Sequence, residues 1–150
     1  VRSGAYERTI AGLDGDITVI SRACPLFVPL VENGRFRPGD TVIETVAREY
    51  LTPLRDTGID TLIMGCTHYP LLAEVIGDIM GPGVTLVDSG AEAARALKRE
   101  LTERELLADR RCGEMTLYAS DRPEDFGAVA GMFLGRPLDS AVRPVNIEEY

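Results

Sequence analysis

The stretch DTLIMGCTHYPLL, residues 60–72, decides the fold because it joins a strand pattern directly to a helix pattern. Its apolar run TLIM is short and continuous, which is typical of a buried strand in a parallel sheet. Gly65 follows and allows a tight turn. Cys66 and His68, the only histidine in the chain, come just before the next apolar helix. The stretch therefore predicts a cysteine and a histidine at the carboxyl end of a strand, where open parallel sheets bind ligands.

Strand and helix patterns alternate on both sides of this stretch. Helices are predicted at 3–13, 40–58, 71–80, 88–107 and 121–134, strands at 16–25, 59–65, 84–87 and 115–120, and an extended or irregular tail at 145–150. In the helix at 40–58, Ile43, Ala47 and Leu54 share one apolar face. Asp40 suits its N-cap and Gly58 its stop. This order predicts an α/β protein with a mainly parallel sheet.

Composition narrows the class of protein. The 150 residues suffice for one domain or two small lobes, and they carry a net charge of −8. No basic stripe with interleaved aromatic residues is present, which argues against nucleic acid as a partner. No apolar run has the length of a membrane span and no signal-peptide pattern opens the chain. Three cysteines without metal-finger spacing favour reduced thiols in the cytoplasm and no structural zinc.

The residues around Cys66 allow thiol chemistry. The positive end of the following helix would favour a thiolate on Cys66 and a carboxylate on a ligand. Thr67 adds a hydroxyl donor, and His68 is near enough to exchange a proton with a neighbour. The alternative is that Cys66 is only a small core residue and His68 only a helix cap.

Four further residues have weaker claims to function. Glu32 interrupts an apolar stretch after a strand end, so it either orients His68 or faces solvent in a turn. Cys24 is predicted to serve packing, and Cys112 to lie in a surface loop. Asp88 with Ser89 is predicted to cap a helix, with ligand contact as a second possibility.

Several segments together resemble a known family. GCTHYPLL (65–72) and CPLFVPLVE (24–32) are very similar to glutamate racemases of the aspartate/glutamate racemase superfamily, and VRSGAY, LVDSGAEAA, YASDRPEDF and VNIEEY follow the family order. The resemblance implies cytoplasmic conversion of L-glutamate to D-glutamate for peptidoglycan, without cofactor or metal. It implies that Cys66 is the acid/base for one face of the substrate α-carbon, that His68 and Glu32 assist it, and that Thr67 contacts the substrate.

The resemblance also implies an architecture: a parallel-sheet sandwich of two similar α/β domains with the active site between them. Residues 1–87 would be most of the second domain, and residues 88–150 would complete a first domain whose beginning is absent. The family's first catalytic cysteine, in an Asn-Thr-Ala context, has no match here. We therefore expect the C-terminal portion of a racemase, an incomplete two-domain architecture that is inactive alone and forms a homodimer when full length. Exposed apolar faces are expected on residues 88–150.

Other interpretations stay open at this stage. The chain could be a truncated, catalytically inactive fragment, or a related aspartate or hydantoin racemase. A third interpretation is a thiol-nucleophile enzyme that uses Cys66 and His68 for acyl transfer. Only the Gly65 turn resembles part of an oxyanion hole, so the racemase interpretation is preferred.

Overall fold

A computed structural model describes residues 1, 3–109, 113, 115–138 and 142–149. They contain α1 (Ala5–Leu13), α2 (Phe27–Glu32), α3 (Thr41–Arg55), β1 (Thr61–Met64), α4 (Ala73–Met80), β2 (Thr85–Asp88), α5 (Ser89–Glu103), β3 (Tyr118–Ala119), α6 (Pro123–Leu134) and β4 (Arg143–Pro144). Short 3-10 helices cover Tyr69–Leu72 and Ile147–Glu149. The chain forms two compact units, Val1–Ala96 and Leu97–Tyr150.

The sheet of the first unit is parallel, as the sequence predicts. Strand β1 pairs with β2 in a register that runs from Thr61 opposite Thr85 to Met64 opposite Asp88. Both strands therefore end at the same edge, and β1 pairs with no other strand in the described part of the chain. The α/β class with parallel strands is confirmed.

The core of the first unit lies between this sheet and helices α2, α3 and α4. Helix α3 buries the face predicted from its spacing: Ile43, Ala47, Tyr50, Leu51 and Leu54. It begins where predicted, because the Asp40 carboxylate accepts a hydrogen bond from the Val42 amide at 2.9 Å. The ring of Phe27 is 1% exposed and meets Tyr50 and Tyr69 edge-on, with centroids 5.4 and 5.3 Å apart. Phe27 thus links α2, α3 and the turn after β1.

The prediction of a strand at 16–25 is wrong. This segment contains no strand, and Ile17 and Ile20 are exposed. A strand needs a neighbour to pair its main-chain N–H and C=O groups, and no described segment provides one. The segment lines a mainly apolar groove of about 1220 Å³, together with α1 and β1.

Helix α2 was not predicted. Phe27 and Val31 lie four residues apart and are both buried, so the short helix turns one apolar side to the core. Its last residue is Glu32, which is therefore a helix-end residue rather than part of a turn.

The second unit contains a smaller parallel pair. Strand β3 is shorter than the predicted 115–120, and it pairs with β4 through Tyr118 opposite Arg143 and Ala119 opposite Pro144. Large apolar side chains on residues 88–149 are exposed, as expected: Leu97, Leu106, Leu107, Met115, Tyr118, Phe126, Phe133, Leu134 and Ile147. Cys112 and Tyr150 lie outside the described residues. Among the helices of the described ranges, none is long and apolar enough to cross a membrane.

Candidate functional site

Cys66 lies at the carboxyl end of β1, where the sequence predicts it. Strand β1 ends at Met64, and the chain then turns through Gly65 and Cys66 into the 3-10 helix that begins at Tyr69. The Cys66 carbonyl accepts a hydrogen bond from the Tyr69 amide at 3.1 Å, which closes the turn. The Cys66 side chain is a free, half-buried thiol. It is thus held by backbone structure and remains partly accessible.

The structure brings Glu32 and His68 together although they are 36 residues apart. His68 Nε2 lies 3.1 Å from Glu32 Oε1, and His68 Nδ1 lies 3.3 Å from the Thr67 hydroxyl. An ionised carboxylate only accepts, so Nε2 carries the proton of this contact. In the neutral ring, Nδ1 then accepts from Thr67, and in the protonated ring it donates to Thr67. The imidazole is therefore fixed on both sides in either charge state.

The two partners of this pair differ in exposure. The His68 side chain is 19% exposed and that of Glu32 is 48% exposed. The pair lies at the protein surface, and its imidazole is less exposed to solvent than its carboxylate. Because solvent reaches the carboxylate, the contact serves orientation more than stability.

Tyr69 connects the Cys66 turn to the segment that leads into α2. Its hydroxyl donates to the Cys24 carbonyl at 3.3 Å. The pKa of Tyr69 is raised to about 12. Burial is the main cause, and the nearby Cys24, Cys66 and Tyr50 add smaller shifts in the same direction. The phenol therefore stays protonated and keeps donating at neutral pH.

Cys24 belongs to the core. Its side chain is buried beside Phe27, and burial raises the pKa of the Cys24 thiol to about 11, with Arg22 opposing the shift. A thiol of this kind is neutral near pH 7 and unreactive. Its position agrees with the packing role predicted from the sequence.

The structure gives Gly65 a different role from the one predicted. Its φ is not in the left-handed region, so backbone conformation alone does not require glycine there. A side-chain Cβ at this position would lie 3.1 Å from the Tyr6 hydroxyl and 3.3 Å from two atoms of the Tyr6 ring. The Tyr6 ring of α1 lies against Gly65, so a Cβ there would have to displace the ring by a few tenths of an ångström. No sequence signal connects Tyr6 with Gly65, so this contact could not be predicted from the sequence.

Asp88 ends β2 beside Met64, at the same sheet edge as the Cys66 turn. Its Oδ1 accepts from the amides of Gly90 and Ala91 at 2.8 and 3.2 Å, which is the predicted capping role. In the part of the chain that the structure describes, no group of three or more His, Cys, Asp and Glu side chains is arranged to hold a metal ion.

Comparison with known proteins identifies relatives. No protein-family model matches the chain. The glutamate racemase of Geobacter metallireducens is 45% identical over 149 residues, which are 99% of this chain and 54% of the relative. The glutamate racemase of Lactiplantibacillus plantarum is 42% identical over 139 residues, covering 91% of this chain and 50% of the relative.

Solved structures of glutamate racemases are also similar to this chain. The structure of glutamate racemase from Francisella tularensis in complex with D-glutamate matches with a TM-score of 0.85 and 35% identity, over 99% of this chain and 55% of that one. Glutamate racemase from Thermus thermophilus in complex with β-chloro-D-alanine matches with a TM-score of 0.80 and 38% identity, over 99% and 54%.

The fold and its similarities define an α/β protein of the racemase type. Over nearly its whole length the chain is similar to glutamate racemases. It spans about half the length of the curated relatives that it matches.

Proposed function

We propose that this chain is part of a glutamate racemase and carries one of its two proton-transfer thiols, Cys66. The observation that carries the proposal is the His68–Glu32 contact of 3.1 Å on the turn that holds Cys66. The sequence identity to glutamate racemases supports the reaction class, and the D-glutamate in the Francisella tularensis structure supports the substrate.

The chemistry is a proton exchange at the α-carbon of glutamate. The Cα–H bond breaks, the proton moves to the Cys66 thiolate to form S–H, and the electron pair stays on Cα as a carbanion. A second thiol on the opposite face gives its proton to Cα and becomes a thiolate, so the substrate is inverted and no atom is gained or lost. Two thiols are needed because one residue cannot reach both faces. The α-proton is weakly acidic, so the base must be held against it and the carbanion stabilised electrostatically.

The neighbours of Cys66 have distinct roles in this proposal. His68 assists proton transfer at the thiol, and Glu32 holds the imidazole through Nε2. Thr67 contacts the substrate with its exposed side chain. The reaction uses no cofactor, because the thiols themselves carry the proton.

The second thiol belongs, in our proposal, to the part of the family's length that this chain does not span. Cys24 is unsuited because it is buried and its pKa is raised to about 11. Residues 1–87 then form most of one domain, and residues 88–150 complete the other. The 150-residue chain alone should not racemise glutamate. At its natural length the protein would act as a cytoplasmic homodimer that supplies D-glutamate for peptidoglycan.

Three measurements test this proposal. The purified 150-residue chain is assayed for interconversion of D- and L-glutamate by circular dichroism, and no turnover is expected. In the protein expressed at its natural length, Cys66→Ala should lower racemisation by at least about 10²–10⁴-fold, the usual contribution of a positioned acid/base. The same variant should no longer exchange the α-proton of one glutamate enantiomer with D₂O, as followed by proton NMR.

Cys24→Ala is the matched control, because it removes a thiol from the core and leaves the Cys66 turn in place. It should retain racemisation per folded molecule. Unchanged racemisation in Cys66→Ala would overturn the assignment of Cys66. Turnover by the 150-residue chain alone would overturn the account of the second thiol, and turnover of aspartate in preference to glutamate would overturn the substrate.

A further inference from the structure

Tyr6 contacts the main chain immediately before Cys66. Its ring belongs to helix α1, 59 positions upstream of Gly65, and a Cβ on Gly65 would meet three Tyr6 atoms at 3.1–3.3 Å. Contacts of that length are tighter than ordinary van der Waals separation. The ring therefore lies against Gly65, and a side chain at that position would require the ring to shift by a few tenths of an ångström.

The Cys66 turn is held from other directions by Tyr69. The Tyr69 amide donates to the Cys66 carbonyl at 3.1 Å, and the Tyr69 hydroxyl donates to the Cys24 carbonyl at 3.3 Å. Gly65 is exposed to solvent, and glycine gives its main chain more conformational freedom than other residues have. The Tyr6 ring supplies the restraint that glycine lacks.

Helix α1, which carries Tyr6, lies outside the core and has a hydrogen bond to another segment near this contact. None of its residues is buried, and the Ser21 hydroxyl donates to Glu7 Oε1 at 2.5 Å, one residue after Tyr6. The position of the Tyr6 ring is thus set by a helix outside the core. It depends on few contacts, and a substitution there is expected to leave the fold intact.

We propose that Tyr6 is a positioning residue for the Cys66 thiol, acting through the contact of its ring with Gly65. The proposal rests on the proposed function of Cys66 as a proton carrier. A thiol that must meet the α-proton in a narrow range of geometries loses efficiency when its turn moves, since a shift of about 1 Å can lower a rate by about 10²-fold.

Four variants test the contact: Tyr6→Ala, Tyr6→Phe, Gly65→Ala and the Tyr6→Ala/Gly65→Ala double variant. The first readout is the rate of Cys66 alkylation by iodoacetamide as a function of pH, measured by peptide mass spectrometry on the 150-residue chain. The second is kcat and KM for glutamate in the protein at its natural length. Circular dichroism checks that each variant folds, and Tyr6→Leu replaces Tyr6→Ala if the latter does not.

Tyr6→Ala should speed the alkylation of Cys66, displace its pH profile and lower kcat by about 10-fold or more with little change in KM. Tyr6→Phe keeps the ring and should restore both readouts to near the original values. Gly65→Ala should change both readouts in the same direction as Tyr6→Ala, because the new Cβ shifts the ring. Adding Gly65→Ala to Tyr6→Ala should have a smaller effect than Gly65→Ala alone. Tyr118→Ala, the same change at an exposed tyrosine of β3, should leave the Cys66 alkylation profile of the 150-residue chain unchanged.

Two outcomes would overturn the proposal: a Cys66 alkylation profile that Tyr6→Ala leaves unchanged, or a Gly65→Ala effect of equal size with and without Tyr6. Failure of the proposed function is distinct, because it would appear as racemisation in Cys66→Ala. The alkylation readout does not depend on racemisation.

Discussion

Phe27 is the residue whose replacement should damage the first unit most clearly. Its ring is 1% exposed and meets two other rings edge-on, at 5.4 Å for Tyr50 and 5.3 Å for Tyr69. Each such pair contributes about 0.5–1.5 kcal/mol beyond burial, so Phe27→Leu should lower the free energy of unfolding by about 1–3 kcal/mol. Phe27→Ala also leaves a cavity and should lower it by about 3–5 kcal/mol. Urea unfolding followed by far-ultraviolet circular dichroism measures both values.

Leu26→Ala is the control for this experiment, because the neighbouring side chain is 50% exposed. Its effect should stay within about 0.5 kcal/mol. The reasoning is refuted if Phe27→Ala lowers the free energy of unfolding by less than about 1 kcal/mol, or if Leu26→Ala has an equal effect. Either result would mean that the ring cluster does not anchor α2 to the turn after β1.

Three more predictions concern charge and capping. Burial raises the pKa of Cys24 from 9.0 to about 11 and that of Tyr69 from 10.0 to about 12. As the pH rises, the unfolded chain therefore loses these protons before the folded chain does. These two groups should not affect the free energy of unfolding below pH 9.0, and they should lower it as the pH rises towards 12. The decrease should be less steep in Cys24→Ala. The Ser21 hydroxyl is the main cause that lowers the pKa of Glu7, so Ser21→Ala should raise it towards 4.5 in a carboxyl NMR titration, and an unchanged value would contradict that cause. Asp40→Ala removes the N-cap of α3 and should destabilise the chain by about 0.5–2 kcal/mol in urea unfolding, whereas Asp40→Asn should retain most of the cap.

Local sequence patterns predicted the helices and strands that are marked by apolar spacing, an apolar run or a cap within their own residues. Helix α3 was predicted because its apolar spacing, its Asp40 cap and its length agree. Strand β1 and helix α4 were predicted because a short apolar run and a helical apolar face flank Gly65. The strand-end position of Cys66 followed from these two elements.

Features that depend on distant partners could not be predicted in the same way. Residues 16–25 have strand-like composition, but pairing depends on a neighbouring edge that composition does not reveal. Glu32 meets His68 only because the unpredicted helix α2 ends beside the Cys66 turn. The contact of Tyr6 with Gly65 joins residues from α1 and the end of β1, and neither residue type indicates the other.

Helix α1 is expected to unfold locally before the rest of the first unit. Regions with few buried contacts open at free energies far below that of global unfolding. Helix α1 has no buried residue, and its described contacts with the rest of the unit include the Tyr6 ring on Gly65 and the Glu7–Ser21 hydrogen bond. Amide hydrogen exchange should therefore be fast along α1 while α3 and α4 stay protected. Brief local openings of α1 will break the contact of the Tyr6 ring with Gly65 at free energies well below that of unfolding the core.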